Sequence, residues 1–257
     1  MWGNGDSTLI LVENKKILVD GGGNANLEKY DVGTKVLLPY LLDREINELD
    51  YIFISHFDAD HCNGLISVLD KLNVENIVIT KQSKQSTEYL NIIEIAQNKK
   101  TNIIFLKQGD KIQFNKHTYI TCLYPYQNPK FDDLNNNSMV LKLTHDKFNM
   151  IFTGDIEEEA EKLIYDEYKF SDILDANVIK IAHHGSKTST TKEFLKLVSP
   201  EIALIGVGKD NTFGHPNVDV ISRLEQMNTK IYRTDNMGEI HMWINRNGKI
   251  QIETHIE

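Results

Sequence analysis

Cysteine is almost missing from this chain: 257 residues hold two, Cys62 and Cys122. Two thiols cannot build a disulfide framework, although one isolated bridge is left open, so stability must come from a packed core. Proline and glycine, at 5 and 15 residues, are too sparse for a collagenous or low-complexity chain. Long apolar runs are absent as well. The longest, Val36-Leu37-Leu38-Pro39-Tyr40-Leu41-Leu42, falls far short of the ~20 residues a membrane-spanning helix needs and is broken by proline. The first residues, Met1-Trp2-Gly3-Asn4-Gly5-Asp6, offer neither the basic start nor the apolar stretch of a signal peptide. Positive charge is also short: 28 Lys and Arg stand against 37 Asp and Glu, a formal net charge of -9. That deficit argues against a surface that draws nucleic-acid backbone by charge alone. It does not exclude a phosphate substrate, because a bound cation can supply positive charge locally.

What the chain does have is enough apolar content, 40% of residues, to bury a full core in one large domain or two small ones. Short β-like runs alternate with amphipathic helical stretches. Residues 8–12 and 16–20 read as a hairpin with its turn at Glu13-Asn14-Lys15. The spacing over 31–42 fits a helix kinked at Pro39. Buried strands are expected at 51–54 and 74–80, with a helix between them carrying Leu65, Val68, Leu69 and Leu72 on one side. A helix at 86–97 and a strand at 102–106 follow, then strand alternation over 111–124 and 138–152. Beyond that the pattern runs helix 156–168, strand 178–182, helix 191–198, strand 202–207, helix 217–227 and strand 230–233. Strand-like runs at 239–244 and 249–254 close it. No composition break or internal repeat interrupts the pattern, so residues 1–257 read as one layered α/β (or α+β) domain.

Five of the nine histidines, His56, His61, His183, His184 and His215, fall in three short loops, two of which directly follow apolar strands. The densest segment is Ser55-His56-Phe57-Asp58-Ala59-Asp60-His61-Cys62-Asn63-Gly64. A divalent metal needs several ligands converging at about 2.0–2.2 Å, and a tight loop supplies them at little cost in chain entropy. Two imidazoles with two carboxylates suit zinc, manganese or iron better than calcium. The competing reading is a solvated acidic turn. Asp155 of Thr153-Gly154-Asp155 could equally be a helix N-cap. Paired His183 and His184 after a buried strand rarely serve packing alone, since buried imidazoles need partners. His215 in Gly214-His215-Pro216 is ambiguous by itself.

Together, the HxDxDH loop, the TGD strand end and the HHGS strand end resemble the metallo-β-lactamase-fold hydrolases, in their chain order. Gly5-Asp6-Ser7, Leu18-Val19-Asp20-Gly21-Gly22, Asp31-Val32-Gly33, Leu38-Pro39-Tyr40-Leu41, Asn136-Asn137-Ser138, Gly214-His215-Pro216 and Tyr232-Arg233-Thr234-Asp235 extend the resemblance to the branch typified by the C-terminal domain of the competence protein ComEC.

The resemblance implies a four-layer αββα sandwich with a dinuclear metal site at one edge, holding two zinc or manganese ions. It assigns His56, Asp58, Asp60 and His61 to the main metal loop and makes Asp155 the bridge. One of His183 and His184 completes the second site. With His183 as that ligand, His184 or His215 is left to protonate the leaving group, while Asp60 binds metal and orients the nucleophilic hydroxide. Lys180, Lys187, Asn137 and Ser138 are then candidates to hold an anionic substrate. Asp58 stands where the broad family usually has histidine, and Asn135-Asn136-Asn137-Ser138 where a further ligand histidine often precedes the TGD strand, which makes the first site oxygen-richer. The function implied is a phosphodiesterase or nuclease acting on DNA, in competence; the alternative is a hydrolase of a lactone, thioester or phosphorylcholine ester. The resemblance also predicts a strand ahead of Gly3, for which there are too few residues. The chain is expected in the cytoplasm if complete, or outside the membrane as the soluble part of a membrane competence protein.

Overall fold

A computed structural model describes residues 5–24 and 30–256. The strand expected ahead of Gly3 lies outside them. Strands β1 (Thr8–Val12) and β2 (Lys15–Val19) form the first hairpin. Its turn is one residue tighter than expected, because Lys15 pairs with Val12. A π-type turn at Gly33–Leu37 leads into helix α1 (Leu38–Asp43). Val32, Leu37 and Leu38 all keep right-handed helical dihedrals, so the helical run expected over 31–42 is continuous, and Pro39 sits in it where the π-type turn gives way to α. Strand β3 (Glu48–Phe53), helix α2 (Ala59–Lys71), strand β4 (Asn73–Thr80), helix α3 (Thr87–Lys99) and strand β5 (Asn102–Leu106) complete the first half.

The second half opens with antiparallel strands β6 (Lys111–Gln113), β7 (Thr118–Tyr124), β8 (Val140–His145) and β9 (Phe148–Phe152). Helix α4 (Glu158–Tyr168), strand β10 (Val178–Lys180), helix α5 (Lys192–Val198), strand β11 (Ile202–Ile205), helix α6 (Val218–Gln226) and strand β12 (Lys230–Arg233) follow. The hairpin β13 (Ile240–Ile244) and β14 (Ile250–Thr254) ends the described chain.

The strands assemble as a five-stranded sheet in the order β1-β2-β3-β4-β5 and a seven-stranded sheet in the order β12-β11-β10-β9-β8-β7-β6. Period-two alternation sorts their side chains into layers. Ile17, Val19, Phe53 and Val78 of the first sheet meet Ile120, Leu141, Met150, Phe152 and Val178 of the second. The alternate residues Leu18, Ile52, Ile77 and Ile79 face outward and pack against Leu65, Val68 and Leu69 of α2 and Ile92 of α3. On the other side Ile151, Ile179 and Ala203 are covered by Ile164 of α4, Phe194 of α5 and Leu224 of α6. The molecule is therefore the four-layer αββα sandwich of the metallo-β-lactamase fold. Strands β2, β3 and β4 run parallel to one another, as do β9, β10, β11 and β12, so the loops leaving their C-terminal ends gather at one edge. Met139 N donates to Ser55 O at 2.8 Å and ties the two sheets together there.

Candidate metal centre

Each functional loop begins where a buried strand runs out. β3 ends at Phe53 and hands the chain to Ser55-His56, and α2 starts at Ala59, so Asp60 and His61 lie in its first turn. Gly64 in that helix lies so close to the loop after β2 that a Cβ there would fall 2.0 Å from Gly21 O. Gly64 N donates to Gly22 O at 2.9 Å and Gly21 N to His61 O at 2.7 Å, which fixes the histidine against that loop. Strand β10 stops at Lys180, earlier than its apolar pattern suggests. His183 and His184 both take left-handed φ values, 49° and 53°, a tight turn that aims both rings at the edge.

Asp155 is the hub. Its Oδ1 lies 3.1 Å from His61 Nε2, and its Oδ2 lies 3.7 Å from His184 Nε2 and 4.0 Å from both His56 Nε2 and His183 Nε2. His56 Nε2 is 3.8 Å from Asp58, and His184 Nε2 is 3.1 Å from Asp60 Oδ2. All six residues expected at the metal site thus lie together around one carboxylate. Asp155 does not cap α4: Asn136 Oδ1 does, accepting from Glu157 N and Ala160 N at 3.0 and 3.3 Å.

The protonation geometry tests whether a cation fits. His61 Nδ1 is 2.9 Å from Asp20 Oδ2 and His184 Nδ1 is 2.7 Å from Gly206 O. Each Nδ1 donates, so each Nε2 of the neutral ring presents a lone pair toward a carboxylate. Lone pair against carboxylate is tolerable only with a proton or a metal ion between them. His56 Nε2, His61 Nε2 and Asp155 Oδ1 are buried without a hydrogen-bond partner, despite the 3.1 Å separation of the last two. The donor set fits a divalent metal.

The same tension shows in the acidities. Burial would lower His61, but Asp155 and Asp20 overcome it and hold the imidazole well above the ordinary histidine value. Burial likewise lowers His184, and Asp155 with Asp6 more than reverses it. Burial would raise Asp155, yet His61 and His184 hold it well below the usual carboxylate range. His56, with burial and the neighbouring His61 both opposing charge, is lowered. Burial pushes the Asp58 carboxyl up. Asp60 is lowered, because its bond to His184 and the charge on His61 outweigh burial.

The paired histidines differ in placement. His184 is buried and groups with Asp6, His61 and Asp155, offering ligand atoms within 4.8 Å of one another. His183 is partly exposed, with Nδ1 3.1 Å from Glu157 Oε1 and its ring 5.7 Å from His215. The structure gathers His184, not His183, into the tight cluster.

The four residues expected to hold substrate are placed differently from one another. Lys180 is buried and ion-paired with Asp6. Asn137 spends its amide on Phe131 O and Asp133 O and its carbonyl on Lys130 N and Phe131 N. Ser138 is fully buried, and its hydroxyl accepts from Asp155 N at 3.1 Å. These three brace the loops behind the site. Lys187 is exposed beside the HHGS turn.

Two carboxylates received no role from the sequence. Asp20 accepts from Ser55 N and Ser55 Oγ, both at 2.7 Å, as well as facing His61. Its signal was available, since it ends an apolar strand as Asp155 does. Asp6 had only its place in Gly5-Asp6-Ser7, since its partner Lys180 is 174 positions away. Although Asp6 clusters with the ligand atoms, it approaches the Nδ1 side of His184, at 3.8 Å, and its bond to Lys180 makes it a support for that ring.

This fold and this site define the class. The metallo-beta-lactamase superfamily model matches residues 1–105, and the chain carries a metallo-β-lactamase domain, from a superfamily of hydrolases, with a candidate metal site. It is homologous to part of the ComEC-like competence proteins. It is 30% identical to ComE operon protein 3 of Bacillus subtilis, over 97% of this chain and 33% of that protein. It is 28% identical to Competence protein ComA of Neisseria gonorrhoeae, over 96% of this chain and 32% of that one. With Recombination protein 2 of Haemophilus influenzae it shares 29% over 93% of this chain and 28% of that one. The chain spans about a third of the length of these relatives. Among solved structures, CmlA, a diiron beta-hydroxylase from Streptomyces venezuelae, shares the fold at a TM-score of 0.59 and 11% identity, over 90% of this chain and 51% of that one.

Proposed function

We propose that this domain is a divalent-metal-dependent phosphodiesterase that cleaves nucleic acid, with DNA as its substrate and a part in DNA uptake. The observation that carries the metal chemistry is the pair of imidazole lone pairs, on His61 and His184, held by Asp20 and Gly206 to face the carboxylates of Asp155 and Asp60. Similarity to ComEC-like competence proteins supports the substrate class. His56, Asp58, Asp60, His61, Asp155 and His184 would hold two zinc or manganese ions. Bound there, the ions supply the Lewis acidity and acidified water that phosphodiester hydrolysis needs.

The rest is the work of this chain's own side chains. Asp20 and Gly206 fix the tautomers of the two buried imidazoles. Asp6, neutralised by Lys180, and Ser138, bonded to Asp155 N, brace the loops that carry His184 and Asp155. His183, partly exposed with Glu157 at its Nδ1, is the proton carrier for the leaving oxygen, exchanging the roles first expected for the pair. His215 is lowered by burial and by the neighbouring His183 and His184, so near pH 7 it is uncharged and holds no imidazolium proton for the leaving oxygen. Lys187 supplies exposed positive charge to the substrate's phosphates.

Metal-titrated assays of the purified domain on bis-p-nitrophenyl phosphate and single-stranded DNA test the reading. Divalent-dependent cleavage that disappears in Asp60→Ala and His61→Ala is the expected result. Activity surviving in those variants overturns it, and so does hydrolysis of a lactone, thioester or phosphorylcholine ester with no phosphodiester turnover. The same reading puts the domain on the outer side of the membrane, as the soluble part of a competence protein. Among the described residues no helix is long and apolar enough to cross a membrane. Labelling by a membrane-impermeant reagent in intact cells is the expected outcome, and protection from it refutes that address.

A further inference from the structure

An aromatic column leads out of the buried site. The ring centroids of His56 and His61 are 4.3 Å apart, those of His61 and His184 5.3 Å, of His184 and His183 6.4 Å, and of His183 and His215 5.7 Å. The column ends at Phe213, whose ring lies 5.9 Å from His215 at an interplanar angle of only 13°. Phe213 is 72% exposed. An exposed phenylalanine on a loose loop would mean little, but this loop is held. Asn211 Nδ2 donates to His215 O at 2.7 Å, and His215 N donates back to Asn211 Oδ1 at 3.0 Å. Asn217 N donates to Gly185 O at 2.8 Å, which locks the end of the loop to the HHGS turn. Between these anchors the Phe213 ring lies nearly parallel to that of His215 and is largely exposed.

We propose that Phe213 is a nucleobase platform, on which a base of a single-stranded substrate stacks beside the phosphodiester presented to the site. The proposal rests on the phosphodiesterase reading and adds to it the residue that receives a base. An exposed flat ring, aligned with its neighbour, suits a planar heterocycle. Stacking also tolerates any base, because every base has a π-face. It answers the charge problem too: a net charge of -9 argues against an extended cationic footprint, and a stacked base adds affinity without charge.

Two measurements on the whole chain decide it. The first compares wild type with Phe213→Ala on two esters sharing one leaving group, thymidine 5′-(p-nitrophenyl phosphate) and methyl p-nitrophenyl phosphate. The preference for the nucleoside ester should fall roughly ten-fold and should persist in Phe213→Trp; an unaltered preference overturns the platform. The second follows the added indole fluorescence of Phe213→Trp, corrected for wild type, during titration with thymidine 5′-monophosphate and with ribose 5-phosphate. Quenching by the nucleotide alone supports the platform, and equal or absent responses overturn it. Wild type hydrolysing neither ester defeats the phosphodiesterase reading, while the fluorescence still decides whether a base binds at Phe213.

Discussion

Asp20→Asn separates the holding of a ligand from the loss of one. The Asp20 carboxylate is buried and accepts from Ser55 N and Ser55 Oγ at 2.7 Å each, with His61 Nδ1 at 2.9 Å. Its backbone is left-handed, at φ 56°, a conformation that asparagine tolerates like aspartate. The substitution therefore changes the acceptor and leaves the chain path alone. An amide keeps one oxygen and turns an N–H₂ toward a former donor, so at least one bond is lost. A hydrogen bond to a charged group contributes about 1.5–3 kcal/mol, which sets the expected destabilisation of the metal-free protein at about 2 kcal/mol. For a domain of this size that is a fall in Tm of about 4–8 °C. The His61 ring also loses the partner that orients it, and such partners are typically worth about 10–100-fold in metal affinity. That is about 1.4–2.7 kcal/mol at 1.36 kcal/mol per decade. Competition against a chromophoric chelator reads the affinity, and scanning calorimetry reads the stability. Ser55→Ala is the comparison: it leaves Asp20 facing His61 but removes the hydroxyl that Asp20 accepts from at 2.7 Å and that lies 3.0 Å from His56 Nδ1, so any loss of affinity there runs through His56 while His61 keeps its carboxylate. A folded Asp20→Asn that binds metal as wild type does would refute the assignment of Asp20 as the group orienting His61.

The paired histidines should separate by readout: His184→Ala loses bound metal, whereas His183→Ala keeps it and loses turnover, and the opposite pattern by metal analysis would restore the first expectation. Metal binding should release protons near neutral pH, because Asp155 with Asp20 holds His61, and Asp155 with Asp6 holds His184, above the ordinary histidine value despite burial. The stability these protonated rings give the metal-free protein is full below about pH 6.5 and is lost as pH rises through their raised values. Metal competes for the same nitrogens, so affinity should climb with pH; titration calorimetry in buffers of different ionisation enthalpy checks this, and a pH-independent affinity with no proton release contradicts it. Gly64→Ala, which would force a Cβ to 2.0 Å from Gly21 O, should cost about 1–3 kcal/mol and weaken metal binding by shifting the turn that carries His61, measured by thermal melts and metal content.

Features written in contiguous residues were legible in the sequence. Apolar runs of period two gave the strands, and the clustering of His56, Asp58, Asp60 and His61 directly after one of them marked the site. What escaped depends on groups far apart in the chain. Lys180 looks from its own neighbourhood like a cation at a strand end; only the fold shows Asp6 against it, 174 residues away. Asn137 and Ser138 look like free hydrogen-bonding groups until the turn at 130–137 uses both ends of one and Asp155 N uses the other. The order of His183 and His184 is set by two consecutive left-handed residues, which reverse which ring is buried. Histidine enters that conformation more readily than most residues, but no local propensity forecasts two in succession.

The charge of the chain and the chemistry of the site have one explanation. Five carboxylates, Asp6, Asp20, Asp58, Asp60 and Asp155, lie against the buried imidazoles of His56, His61 and His184, with Glu157 further out against His183, and the lysine paired among the five is Lys180. With neutral imidazoles, five negative charges and one positive leave a formal -4, and two divalent ions would carry +4. Metal-free, the site must neutralise itself by drawing protons onto His61 and His184, the direction in which both are shifted. On the proposed reading, bound metal would take the same atoms as ligands and cancel the negative charge that would repel a phosphodiester. An acidic protein can thus act on an anionic substrate without a basic surface. The affinity that such a surface would have supplied must then come from uncharged contacts at the mouth of the site, and Phe213, flat, exposed and anchored beside His215, is placed to supply one.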